Sequence, residues 1–349
     1  VNVRLTQIDG ALPNIALMKL ASWHKSRGDT VSVTRHLERE LFEPEYDRVY
    51  GSAIFKFSEP RVARFTAAWP GAILGGTGTT STQTVEDLIG IPWEYYDYAG
   101  WPEVDYSIGF LQRGCRLSCK FCVVPKKEGK PRSNMTVTEL WRGAPWPRKL
   151  HILDNDFFGN PEWRDRVREI RDGGFRVCLS QGINTRLIDD EAAEALATLE
   201  YRDTKFKERR LYTAWDNLKD EERFFAGVDR LKRAGVPSKH LMVYMLVGYD
   251  KNETWPRIWH RFNRMVAIGV RPYPMVYDRS RRDLRAFQRW VVTGLYRRVP
   301  WEDYDYNTWQ DESRDTSFDW LDLPTTADKA LTQDRLTAAV ARLKQEDAA

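Results

Sequence analysis

Histidine and cysteine are both scarce in this chain, five of the first and four of the second among 349 residues. So few cysteines, three of them within one short stretch, do not make the disulfide framework of a secreted domain. Long apolar runs are missing too, so no segment reaches the length of a membrane-spanning helix. Charge of a single sign is also lacking. Lys and Arg number 54 against 50 Asp and Glu, a net charge of +4, far from the bias of a dedicated nucleic-acid binder. There is no low-complexity tract and no short-period repeat. The opening VNVRLTQIDG reads as a strand and lacks the basic, apolar, small-residue order of a signal peptide. These features set the expectation of a cytoplasmic protein without a membrane partner. What the chain has in plenty is aromatic side chains: 14 Trp, 15 Tyr and 15 Phe. Composition does not separate core filling from base stacking.

Strand and helix signals alternate along the chain, which predicts an α/β protein with parallel sheets. In the first ninety or so residues, β-rich runs at 3–9, 30–35, 47–55 and 71–78 are interleaved with helical patterns at 13–28 and 58–69. Later strands are expected at 149–158, 175–183, 209–217, 239–250 and 270–278, with helices at 161–174, 189–200 and 220–235. The proline-broken aromatic stretch 92–106 reads as a linker. It separates a domain over 1–91 from a βα-repeat domain over 107–280, and residues 281–349 form a helical, aromatic extension. Within that extension the tail 300–320 is acidic and aromatic, and 326–346 reads as a final helix.

The stretch 113-RGCRLSCKFCVVPKKEGKPR-132 carries the chemistry. Cys115, Cys119 and Cys122 are spaced C-x3-C-x2-C. A cubane iron–sulfur cluster has four irons, and three thiolates leave one iron open to an outside chelator. The amino and carboxylate groups of S-adenosylmethionine (SAM) are such a chelator. Phe121 is placed to shield the cluster from water. The competing reading is a structural zinc site with Cys178 as fourth ligand, although tetrahedral zinc sites usually pair C-x2-C units.

The motif resembles that of the radical SAM superfamily, C-x3-C-x-aromatic-C, following a first barrel strand at 107–114. More closely, the chain is similar to members that carry a cobalamin-binding domain, and to a sparsely characterised bacterial and phage group. The resemblance implies a Rossmann-like, cobalamin-binding-like N-terminal domain followed by a partial (β/α)6 TIM-type barrel. It implies a [4Fe–4S] cluster on the three cysteines, SAM as cofactor, and an external electron donor of flavodoxin or ferredoxin type. It also implies SAM contacts at strand ends. These are Asp154 and Asn155 after the second strand, Gln181, Asn184 and Arg186 after the third, and Val247 and Gly248 at the fifth. Trp215 and Asp216, at the fourth strand end, and Lys126 and Lys127 are candidates for substrate contact. A core tryptophan, a capping aspartate and a solvated basic loop are the bland alternatives.

The family's cobalt-ligating D-x-H-x-x-G turn is absent, since this chain reads 9-DGALPN-14. Cobalamin therefore stays an open alternative and a degenerate scaffold is favoured. The resemblance implies a 5′-deoxyadenosyl radical that takes hydrogen from a substrate. Sulfur insertion usually needs a second cluster, which one spare cysteine does not supply. Rearrangement needs neither that cluster nor cobalamin. The resemblance to phage enzymes, which include radical SAM isomerases acting on hypermodified thymidine, implies such a base in DNA as the specific substrate. A cobalamin-dependent methyltransferase and a non-enzymatic metal-binding nucleic-acid module are the alternatives.

Overall fold

The computed structural model describes residues 1–306. The chain divides into two compact units between Ile108 and Gly109. The final helix expected at 326–346 and most of the aromatic tail lie outside the described residues.

In the first unit β1 (Asn2–Gln7), α1 (Ile15–Ser26), β2 (Thr30–Thr34), β3 (Arg48–Ser52), α2 (Glu59–Ala68), β4 (Ile73–Gly75) and α3 (Val85–Ile89) follow one another. The strands pair in parallel in the order β2-β1-β3-β4. Strand β1 lies inside this sheet, and five of its six residues are buried, as a parallel strand covered on both faces should be. Helix α1 begins where Asn14 Oδ1 accepts the Leu17 amide at 3.2 Å, a side-chain cap for an otherwise orphaned donor. Gly51 in β3 has a packing reason. A Cβ there would lie 2.4 Å from the Phe65 ring, so only glycine lets α2 lay the fully buried Phe65 on the sheet. Phe65 completes a core cluster with Ile8, Leu37 and Ala53. Past the carboxyl ends of β1 and β3, Asp9 ties the two together. Its carboxylate accepts the amides of Ile54 at 2.7 Å and Phe55 at 2.9 Å.

The next strand, β5 (Ser107–Gly109), stands at the division. Then come β6 (Gln112–Arg113), α4 (Val124–Lys127), β7 (Arg132–Ser133), α5 (Val137–Leu140), β8 (Lys149–Ile152), α6 (Trp163–Asp172) and β9 (Arg176–Cys178). They are followed by α7 (Asp190–Ala197), β10 (Glu200–Tyr201), β11 (Leu211–Ala214), α8 (Glu221–Arg233), β12 (Leu241–Val247), α9 (Trp255–Ala267), β13 (Arg271–Val276) and α10 (Arg282–Val292). One sheet runs β10-β9-β8-β5 and another β11-β12-β13. The backbone after β9 reaches β11 through a bond from the Ile183 amide to the Tyr212 carbonyl at 2.7 Å. Prolines 272 and 274 fit β13 because, among the described residues, it pairs with β12 alone, and an edge strand tolerates missing donors. Helix α9 buries Ile258, Phe262 and Met265, a helical spacing that places one apolar stripe inward.

Several strands stop short of their expected ends. Strand β8 ends at Ile152 rather than 158, because Asp154, Asn155 and Asp156 leave the ladder for side-chain contacts described below. Strand β9 ends at Cys178. The helix expected to 200 ends at Ala197, and residues 200–201 instead add β10 to the edge of β9.

Candidate functional site

The three cysteines sit on a loop that is closed at its base. Strands β6 and β7 form a two-stranded antiparallel ribbon, with Gln112 opposite Ser133 and Arg113 opposite Arg132. Inside the ribbon the chain doubles back, so that the Cys115 amide donates to the Gly129 carbonyl at 3.2 Å. Gly114 makes the approach possible. Its φ is +84°, and a Cβ would lie 2.2 Å from the Lys130 carbonyl oxygen, inside any permitted contact.

The strand end 153-LDND-156 pins this loop at three points. Asp154 Oδ1 accepts the amides of Leu111 at 2.8 Å and Gln112 at 3.0 Å. Asn155 Nδ2 donates to Glu128 Oε2 at 3.3 Å. Asp156, fully buried, takes the Arg116 guanidinium in a bidentate pair at 2.7 and 2.9 Å. Glu128 in turn accepts from Arg113 and from the Gly114 amide, both at 3.0 Å. Buried bidentate pairs of this sort are geometrically strict, so the loop is held from both flanks of its cysteines.

The thiols share one electrostatic neighbourhood. Burial pushes the Cys115 thiol up to about 11, and the charges of Asp156, Cys119 and Cys122 push in the same direction. Cys122 is also raised, first by burial, with Cys119, Glu128 and Asp216 contributing. Backbone amides offset part of this, Leu117 bonding the Cys115 sulfur at 3.4 Å. Such N–H···S bonds favour the thiolate and suit a cluster ligand. Among the described residues, no group of three or more His, Cys, Asp and Glu side chains is gathered as a metal-holding set. The donor set fits an iron–sulfur cluster by its chemistry and by the closure of the loop that carries it.

Asp154 is nearly fully buried, and its second oxygen, Oδ2, has no hydrogen-bond partner. Burial raises this carboxyl to about 8, against the pull of its two amide donors. The half-buried Asn184 likewise has an unpartnered Oδ1, and Arg186 an unpartnered Nε. Arg186 pairs with Asp220 at 2.8 Å. Burial lowers its basicity first, but Asp220, Cys119 and Asp216 raise it on balance. Unpartnered buried polar atoms are uncommon and call for an explanation. Three of them fall on residues expected to face SAM.

The other expected positions divide. Phe121 meets the Tyr249 ring edge to face, centroids 5.5 Å apart. Gln181 is exposed. Val247 is fully buried, so only its backbone can meet a ligand. The Gly248 amide is held by Glu253 at 2.7 Å, and Glu253 also pairs with the buried Arg261. Asp216 accepts the Leu246 amide at 2.9 Å. Lys126 and Lys127 are exposed on α4. Trp215 departs from the substrate-facing expectation. It is fully buried, stacked on Phe224 at 5.3 Å, and donates to the Asn217 carbonyl, so it packs core. Cys178 is also fully buried in β9. Its thiol is raised by burial and Asp203, a setting that speaks against a fourth zinc ligand. Sequence reasoning missed Arg116, Glu128 and Asp156. The available signal was their sign, an arginine and a glutamate inside the cysteine stretch and a third polar residue after β8.

No protein-family model matches the chain, and no curated protein matches it. Two solved structures are similar to it. One is a cysteine-to-serine variant of spore photoproduct lyase, at 12% identity and TM-score 0.32, covering 76% of this chain and 73% of the other. The second is a double variant of the same lyase with bound AdoMet and dinucleoside spore photoproduct, at 10% identity and TM-score 0.34, covering 82% of each chain. Likeness of this degree does not by itself carry a fold or an activity over. Among the described residues no helix is long and apolar enough to cross a membrane.

Proposed function

We propose that the chain is a radical SAM enzyme whose second unit holds a [4Fe–4S] cluster on Cys115, Cys119 and Cys122. The observation that carries this reading is the buried, unpartnered Asp154 Oδ2 on the residue that also pins the base of the cysteine loop. An oxygen acceptor left without a donor in the interior is costly, and an N–H of the amino group of a bound SAM molecule would satisfy it. With SAM bound, the cluster would supply one-electron cleavage of the sulfonium, giving a 5′-deoxyadenosyl radical that takes hydrogen from a substrate.

The chain's own residues position and shelter. Asp154 would accept an N–H of the SAM amino group while still holding the Leu111 and Gln112 amides. Arg186 and Asn184 would take the carboxylate and ribose, a role supported by the influence of the Cys119 charge on Arg186. Asp216 and Glu253 fix the backbone at Leu246 and Gly248, where the adenine would pass. Phe121, braced by Tyr249, keeps water from the loop. The strand succession β5, β8, β9, β11, β12, β13, parallel at β8–β9 and through β11–β12–β13, supports a partial (β/α)6 barrel beneath the site, with the bond from Ile183 to Tyr212 bridging the two sheets.

For the substrate, the reading is a modified nucleobase in DNA, and for the outcome a rearrangement. One cysteine outside the loop leaves no thiolate set for a second cluster. In the first unit Asp9 occupies the two amides past β3 with its own carboxylate, which favours a scaffold over a cobalamin site. The test is anaerobic reconstitution with iron and sulfide, followed by metal analysis and incubation with SAM and a reductant. Bound iron with labile sulfide and formation of 5′-deoxyadenosine support the reading. Zinc on four thiolates would replace it with a metal-binding module.

A further inference from the structure

The aromatic contact that begins at Phe121 continues outward. Tyr249 meets Tyr277 edge to face, centroids 4.9 Å apart at 76°, and Tyr277 is 55% exposed. Strand pairing explains the adjacency. The Tyr277 amide donates to the Val247 carbonyl at 3.0 Å, which sets the turn after β13 beside the turn after β12. Both turns read Tyr-Asp-basic, YDK at 249–251 and YDR at 277–279. The two aspartates are engaged by their own turns. Asp250 accepts the Asn252 amide at 2.9 Å, and Asp278 accepts the Ser280 amide at 2.9 Å and its hydroxyl at 2.6 Å. Lys251 and Arg279 are exposed.

A row of rings therefore leads from the cysteine loop to solvent, with a cation following each Tyr-Asp pair. Rings beside cations are what an unpaired nucleic-acid strand requires, since every base offers a flat face and every linkage a negative charge. We infer that Tyr277 is a stacking platform for one base of a single-stranded nucleic acid, with Lys251 and Arg279 meeting its phosphates. The next nucleotide along the strand is then presented to the cysteine loop. This names the substrate class of the enzyme proposed above and rests on that reading for the chemistry alone.

The test uses the full, reconstituted chain and fluorescence anisotropy with a short labelled single-stranded oligothymidine. An abasic strand of equal length and charge is the companion probe. Tyr277→Ala should weaken oligothymidine binding about tenfold, the share of one stacked base, while Tyr277→Trp keeps it. The abasic strand should bind wild type and Tyr277→Ala equally. Oligothymidine affinity unchanged in Tyr277→Ala, or lost equally in Tyr277→Trp, overturns the platform. So does an abasic strand that binds wild type as tightly as oligothymidine. Assaying wild type for 5′-deoxyadenosine in parallel keeps the two readings apart, since a protein that stacks bases but never cleaves SAM loses only the radical assignment.

Discussion

Asp154 offers a perturbation that separates holding the loop from holding a ligand. Asp154→Ala removes an acceptor shared by two buried amides, those of Leu111 and Gln112. Each unsatisfied buried amide costs about 1–3 kcal/mol, so this variant should lose about 2–6 kcal/mol of stability and assemble its cluster poorly. Asp154→Asn differs. In the empty protein the carboxyl is raised to about 8, so near neutral pH it is held mostly as the protonated acid, which an amide imitates. Stability should stay within about 1 kcal/mol of wild type. SAM binding should not survive as well. A hydrogen bond to a charged partner contributes about 1.5–3 kcal/mol, and releasing the proton at pH 7 offsets about 1.4 kcal/mol of it. The lower end leaves about 0.1 kcal/mol and the upper end about 1.6 kcal/mol, and the new amide N–H adds a donor facing a donor. Affinity for SAM should therefore fall, by about tenfold toward the upper end. Thermal unfolding and equilibrium binding of SAM to both reconstituted variants measure the two effects. If Asp154→Asn binds SAM as tightly as wild type, Asp154 Oδ2 does not accept from the SAM amino group.

Two further outcomes follow from the same geometry. Gly114→Ala places a methyl 2.2 Å from the Lys130 carbonyl at a φ of +84°, so the ribbon at the loop's base must open. The expected result is a fold kept elsewhere, by circular dichroism, with iron loading reduced several-fold. The second concerns His151, fully buried in β8 and bonded to the Ser180 hydroxyl at 2.6 Å. Burial lowers its pKa from 6.5 to about 4, so between those values the unfolded chain binds the extra proton and the folded chain does not. Stability is then lost as pH falls through that window, by about 3 kcal/mol at about 1.4 kcal/mol per pH unit. Denaturant unfolding of wild type and His151→Gln across the window should show that part of the slope missing in the variant.

What the sequence disclosed follows from what leaves a local trace. Strand and helix succession is written in periodicity, and the cysteine spacing is local by definition, so both could be read without coordinates. The helix start at Asn14 is visible for the same reason, because its capping side chain bonds an amide three residues on. Long-range pairing leaves no such trace. Arg116 and Asp156 lie 40 residues apart, and nothing near either announces the other. Lys126 and Lys127 drew notice in the basic loop, whereas Glu128 between them and the glycine is the residue that ties the loop to Arg113, Gly114 and Asn155. Trp215 shows an ambiguity of another kind. A tryptophan at a strand end reads equally as a site residue and as core until Phe224 is seen stacked on it. Strand ends were overrun at β8 because its polar residues continue an extended pattern while their bonds go to the loop.

The central claim is that three thiolates leave an iron open for SAM. The most direct measurement is 5′-deoxyadenosine formed by anaerobically reconstituted protein given SAM and dithionite, wild type against Cys119→Ala. The account predicts deoxyadenosine from wild type and none from the variant. A wild-type protein that binds zinc in place of iron, or that carries a cluster and leaves SAM intact, would contradict it.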